Sequence, residues 1–240
     1  MSTETITTVQ TADGPMDLYE SLPDGKPVGA VIVIQEAFGV NDHIQDVTRR
    51  FAAAGYRAVA PTLFHRAGGG TAGYTDFAKV MPLFKGLNDD AIGMDVDAAL
   101  AHLRAAGFRD AQIGIVGFCF GGRVTFLVAT RRKLGAAVGF YGGGIAVARR
   151  PGFPVLIGEV AKLATPWLGL FGDKDQGIPV EDVELLRETL KREAGVPNAI
   201  VRYPDAEHGF HCDVRASYHE ASAKDAWART LDWLRSHLSA

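Results

Sequence analysis

The sequence predicts an α/β protein built on a mostly parallel sheet with helices on both faces, and three observations carry that prediction. Six short apolar runs, at 28–34, 56–60, 112–116, 136–141, 166–171 and 199–203, have the length and unbroken hydrophobicity of strands covered on both sides. Helical patterns separate most of them, at about 43–54, 88–106, 121–132 and 179–194, and an amphipathic stretch near 217–237 closes the chain. Glycine is in excess at 28 of 240 residues, and many of these glycines stand where an apolar run ends and a loop must turn sharply.

Taken in order, the chain opens with Ile6, Val9, Met16 and Leu18 alternating about an Asp13-Gly14 turn, the pattern of an antiparallel hairpin at one sheet edge. Strand, helix and strand follow as far as residue 60. Residues 62–87 then interrupt the alternation with Arg66, three glycines, Tyr74, Phe77, Met81 and Phe84, a connection long enough to act as a lid over a site. A second interruption, 142–165, is glycine-rich and then basic at Arg149-Arg150. No linker, repeat or shift of composition divides the chain, so residues 1–240 read as one domain.

Composition narrows the function. With 47% hydrophobic and 22% charged residues the chain can bury a large core, which excludes a disordered or fibrous protein. A net charge of −3 without a run of either sign lacks the footprint of a nucleic-acid binder. No apolar run nears the ~18 residues of a membrane span, and the polar start is no signal peptide, so a cytoplasmic protein without membrane attachment is expected. Two cysteines, Cys119 and Cys212, make no disulfide framework and call for separate explanations.

The first explanation lies in Gly117-Phe118-Cys119-Phe120-Gly121. A buried strand ends here and a helix begins at once, with one nucleophile-capable residue at the turn and glycines two before and two after it. The glycines admit close backbone approach, the middle residue is strained, and its side chain is thrust outward beside the first N–H groups of a helix. The competing reading is a small buried thiol at a turn that merely packs or binds phosphate. An elbow nucleophile needs an acid and then a histidine from later strand ends. Asp173 and Asp175 follow the fifth core run, and His208 follows the last. Either aspartate satisfies that rule, although loop aspartates also serve as helix caps and His208 as a surface residue.

Glu207, His208, His211, Cys212 and His219 could also be taken for metal ligands, but their spacing matches neither a metalloprotease helix nor a zinc knuckle, so no metal is expected. Phosphate-loop and dinucleotide fingerprints are missing too, so no cofactor is expected.

These residues resemble the dienelactone hydrolase (carboxymethylenebutenolidase) family of α/β hydrolases. Gln35-Glu36-Ala37-Phe38-Gly39-Val40-Asn41 is similar to its QE-x-FG-x-N stretch, and Gly117-Phe118-Cys119-Phe120-Gly121-Gly122 to its elbow. Gly172 to Pro179 resembles G-x-x-D-x-x-[IV]-P, which selects Asp175, and Glu207-His208-Gly209-Phe210 resembles the histidine motif. The resemblance implies an α/β-hydrolase fold and a Cys119-His208-Asp175 triad. It further implies that Glu36 takes the proton of the resting thiol, and that Phe120 and Ala37 supply oxyanion-hole N–H groups. The implied substrate is a lactone or small activated ester, cleaved through an acyl-thioester, whereas amides would compete poorly with thiolate departure. Without the resemblance, Glu36 reads as a strand-end carboxylate in a structural ion pair.

The family's substrate arginine four residues after the histidine is replaced by Cys212. Arg66, Lys79 and Lys85 offer charge in the other expected region, and Arg123 either contacts an anion or stands solvated at a helix start. Phe38, Tyr74 and Phe210 complete the candidate substrate contacts. The rival activities are a thioesterase or carboxylesterase at the same site and a non-catalytic small-molecule-binding homologue. A monomer with a small-molecule partner is expected.

Overall fold

The unbroken apolar runs become the inner strands of one eight-stranded sheet in the computed structural model, which describes residues 3–149 and 151–239. Its strands are β1 (Thr3–Thr11), β2 (Gly14–Leu22), β3 (Gly29–Ile34), β4 (Tyr56–Pro61), β5 (Ile113–Phe118), β6 (Ala136–Phe140), β7 (Trp167–Gly172) and β8 (Asn198–Tyr203). They lie in the order β1-β2-β4-β3-β5-β6-β7-β8. β1 and β2 pair antiparallel, β2 joins β4 antiparallel, and every later pairing is parallel. All residues of β3, β5, β6 and β7 are buried, which is why these segments carry no polar alternation.

Two helices, α1 (Asp42–Ala53) and α6 (Glu220–His237), cover one face and meet where Phe51 packs on Trp227 at 4.6 Å between centroids. On the other face lie α3 (Asp89–Ala105), α4 (Phe120–Arg131) and α5 (Val180–Glu193). Asn41 and Asn88 start α1 and α3 by accepting hydrogen bonds from their first free N–H groups. Among the described residues no helix is long and apolar enough to cross a membrane.

Three local expectations are revised. The hairpin forms, but Thr11 pairs with Gly14, so Ala12 and Asp13 make the turn. Its apolar alternation is buried only on β2: Met16 and Leu18 are in the core, whereas Ile6 on the outermost strand is 71% exposed. Residues 62–87 contain a short helix, α2 (Phe77–Leu83), and are anchored through buried Leu63, Phe64, Val80 and Phe84. Within this segment Arg66 is a structural tie and not a free anion contact. Its guanidinium bonds both oxygens of Asp95 on α3 at 2.7 and 2.9 Å and Asp13 of the hairpin turn at 2.6 Å. Of the basic pair in the second interruption, Arg150 lies outside the described residues.

Candidate active site

Cys119 occupies the single residue between β5 and α4, with φ 54° and ψ −113°, a left-handed conformation that costs a non-glycine residue about 1–3 kcal/mol. Packing enforces it. A Cβ on Gly117 would strike the Gly121 carbonyl, one on Gly121 the carbonyls of Ile34 and Gln35, and one on Gly122 the Phe140 carbonyl. The Cys119 N–H donates to Phe140 O at 3.0 Å, and its own carbonyl accepts from Gly122 at 3.0 Å. Helix and sheet therefore touch backbone to backbone, and the half-buried thiol is left facing a cavity.

Asp175 and His208 reach the same place from the ends of β7 and β8. Their loops are laced together: Asp173 N donates to Tyr203 O and Lys174 N to Ala206 O, each at 3.0 Å. Asp175 is buried, and both its oxygens are engaged. Oδ1 accepts from Gly177 N at 2.8 Å, and Oδ2 lies 2.6 Å from His208 Nδ1. A carboxylate only accepts, so Nδ1 carries the hydrogen and Nε2 is the nitrogen available to the thiol. Burial works against a charged His208 ring, but Cys119 within hydrogen-bonding reach and Asp175 outweigh it and push its pKa up to about 10. Asp173 faces elsewhere, in a two-armed bond with Arg202 at 2.7 and 2.8 Å.

Glu36 is fully buried, one residue before Ala37 of the cavity wall. Gln35 shapes this turn, accepting from Leu63 N at 3.2 Å and donating to Glu36 O at 3.3 Å. Glu36 Oε1 has a long contact, 3.4 Å, with Arg215, and its Oε2 has no partner among the described residues. Tyr141 sits at the end of β6 with φ 38°. Its hydroxyl is buried and has no partner among the described residues, and its pKa is pushed well up, first by burial and then by the nearby Glu36, Cys212 and Cys119.

The cavity has a volume of about 340 Å³ and is lined by Cys119, His208, Ala37, Phe120, Arg123 and Arg149, with Phe153, Ile178 and glycines filling the wall. Of the five substrate contacts expected from sequence, Arg123 alone borders it. Arg123 is not solvated: it is 3% exposed and grips Asp89 at 2.6 and 2.9 Å and Pro154 O at 2.6 Å. Phe38 packs edge-on against Tyr74, whose hydroxyl meets Asn41 and Cys212 away from this cavity. Phe210 is buried among Tyr141, Phe140 and Tyr203. Phe84 of the 62–87 segment backs Phe120 at 5.0 Å.

Arg149, Arg215 and Tyr141 are not among the site residues expected from the sequence, where Arg149 marks only a basic stretch. Tyr141 alone had a usable signal there, since it ends an apolar run immediately before Gly142-Gly143-Gly144.

A strained thiol and a histidine held by a buried carboxylate meet at one cavity, and comparison with known proteins gives the family. The model of the "Dienelactone hydrolase family" matches residues 16–238. The chain belongs to the dienelactone hydrolase family. It is 41% identical over 242 residues to a Salmonella typhimurium protein named "Putative carboxymethylenebutenolidase", covering 97% of this chain and 87% of that one. A Methylorubrum extorquens protein of the same name is 40% identical over 231 residues, covering 94% and 78%. The crystal structure titled "Putative Dienelactone Hydrolase from Klebsiella pneumoniae subsp. pneumoniae MGH 78578" superposes with a TM-score of 0.90 at 37% identity, covering 98% of this chain and 99% of that one. The fold is accordingly an α/β-hydrolase fold, and this dienelactone hydrolase family member is an enzyme of the ester- and lactone-cleaving class. At its fourth position after the histidine stands Cys212, buried and donating to Tyr74 at 3.3 Å.

Proposed function

We propose that the protein hydrolyses lactones or small activated esters by nucleophilic catalysis through Cys119. The observation that carries this reading is the thiol on a strained turn within reach of a histidine whose Nδ1 is held 2.6 Å from a buried aspartate. The Cys119 thiolate attacks the carbonyl carbon, and the oxyanion accepts hydrogen bonds from the N–H groups of Ala37 and Phe120. The latter is the first amide of α4, where donors have no partner within the helix. Collapse breaks the acyl C–O bond, and the alkoxide or enolate leaves with the proton of His208. With sulfur now acylated and uncharged, the imidazole is free to take a proton from water. The hydroxide cleaves the thioester, releasing the acid and restoring the thiol pair.

Where Cys119 rests as a thiol beside an already protonated His208, Glu36, with one oxygen free, takes up the thiol proton, so the imidazolium still holds the proton that the leaving group needs. At the cavity wall Arg123 is paired with Asp89 and Arg149 with Asp182, and the buried Arg123 Nε has no partner among the described residues.

Replacement Cys119→Ala tests the reading. It should abolish hydrolysis of p-nitrophenyl acetate and the iodoacetamide labelling of the folded protein, since Cys212 is buried, while circular dichroism shows the fold retained. Turnover near that of the wild type would overturn it. A panel of lactones, oxygen esters and thioesters, each with and without a carboxylate, ranks the substrate classes by kcat/KM.

A further inference from the structure

Three buried side chains from separated parts of the chain converge. Glu36 follows β3, His43 lies in the first turn of α1, and Cys212 lies four residues after His208. One donor atom from each falls within 4.8 Å of the others. The group is short of partners: Glu36 Oε2 and His43 Nε2 are buried and bonded to nothing among the described residues. The Cys212 hydrogen points to the Tyr74 hydroxyl at 3.3 Å and its sulfur accepts from the backbone of Val214, so the deprotonated sulfur keeps a further lone pair for a ligand bond. Cluster and sequence disagree about grouping. His208 is committed to Asp175 and His211 to an aromatic cluster with Phe118 and Phe140, so Cys212 is left to Glu36 and His43.

We propose that Glu36, His43 and Cys212 form a site for a divalent d-block cation of the zinc class, and that its occupation withdraws Glu36 from hydrolysis. Carboxylate, imidazole and thiolate are the donors such ions prefer. Tetrahedral bonds of about 2.0–2.3 Å put ligand atoms roughly 3.5 Å apart, so side-chain rotation of about an ångström closes the set. Coordination by Cys212 releases its thiol proton to solvent. Arg215 touches only Oε1, at 3.4 Å, and Oε2 remains for the cation. Entry is provided by a cleft of about 580 Å³ on the side away from the catalytic cavity, bordered by His43 and Tyr74. Asp42, Asp46 and Asp213 on its walls outnumber Arg49 and attract cations. The inhibitory half of the proposal rests on the role assigned to Glu36 above; the binding half does not.

The two halves are tested separately. Protein carrying Cys119→Ser, freed of metal with EDTA, is titrated with CoCl₂. One equivalent should bind and give the thiolate-to-cobalt charge-transfer band, which Cys212→Ser should remove and His43→Gln should weaken at least tenfold. X-ray absorption of the cobalt in Cys119→Ser alone should show one sulfur ligand, which serves if a further variant fails to fold. No band, no sulfur ligand, or a band indifferent to Cys212 overturns the site. For the second half, ZnCl₂ should inhibit wild-type hydrolysis at least tenfold, EDTA should restore it, and Cys212→Ser should turn over normally without zinc and resist inhibition. Cobalt bound at Cys212 with no inhibition by zinc supports the site and overturns the part given to Glu36. Equal inhibition of Cys212→Ser assigns the zinc to Cys119 and His208 and overturns the coupling.

Discussion

Asp173 and Asp175 stand two residues apart at the end of the same strand, yet the fold gives them opposite partners. Asp175 holds His208, and Asp173 is locked to Arg202. Asp175→Asn should therefore lower kcat/KM by several orders of magnitude, because an amide no longer holds the productive tautomer. Asp173→Asn should change it by less than about tenfold, or about 1.4 kcal/mol. Steady-state kinetics on variants shown folded by circular dichroism check the ranking, and the reverse order would assign the acid wrongly. The raised pKa of His208 sets a pH dependence as well. The His208 imidazolium that protonates the leaving group persists at neutral pH and is lost as pH rises through about 10. Leaving-group protonation by His208 should hold through neutral pH and fall on that alkaline side, whereas an ordinary imidazole would titrate near pH 6.5. Stopped-flow bursts across the range measure it.

At the scale of elements, the start of α4 is clamped to the start of α3 by the buried Arg123–Asp89 pair. Its two-point geometry and the extra bond to Pro154 O offset the desolvation of both charges. Removing one partner strands the other. Asp89→Ala should cost about 3–5 kcal/mol in urea denaturation, and the double replacement Asp89→Leu with Arg123→Met should recover much of that loss. No recovery would mean that the charges themselves, and not their pairing, position the helices. From sequence, Arg123 reads more readily as a solvated helix-start residue than as an anion contact, because a charge two residues after a glycine says nothing about which helix lies opposite. Only the packing of α3 on α4 supplies the acid, 34 residues away.

For the whole molecule, the hairpin extends the sheet without extending the core evenly. Leu18 on β2 is fully buried, while Ile6 on β1 is exposed. Leu18→Ala should lose about 2–5 kcal/mol through the cavity it leaves. Ile6→Ala should stay within about 0.5 kcal/mol, as surface changes do. Equal losses in urea melts would show that β1 is covered in solution, as by a second copy of the chain.

The parallel order of strands, the elbow around Cys119 and the positions of Asp175 and His208 at strand ends were legible in the sequence. Each is written in neighbouring residues: unbroken apolar runs, glycines spaced four apart, and a motif that begins where a run stops. Such features arise from local sterics and burial, which act over a few residues. Long-range pairing has no such local signature. Arg66 looked free in sequence and is held by Asp13 and Asp95. Arg215 reaches Glu36 across 179 residues, and Cys212 finds Glu36 and His43 instead of its own neighbours His208 and His211. These meetings depend on how helices and loops pack over the sheet, so the tertiary structure alone decided which charges reach the cavity and which polar groups are buried without partners.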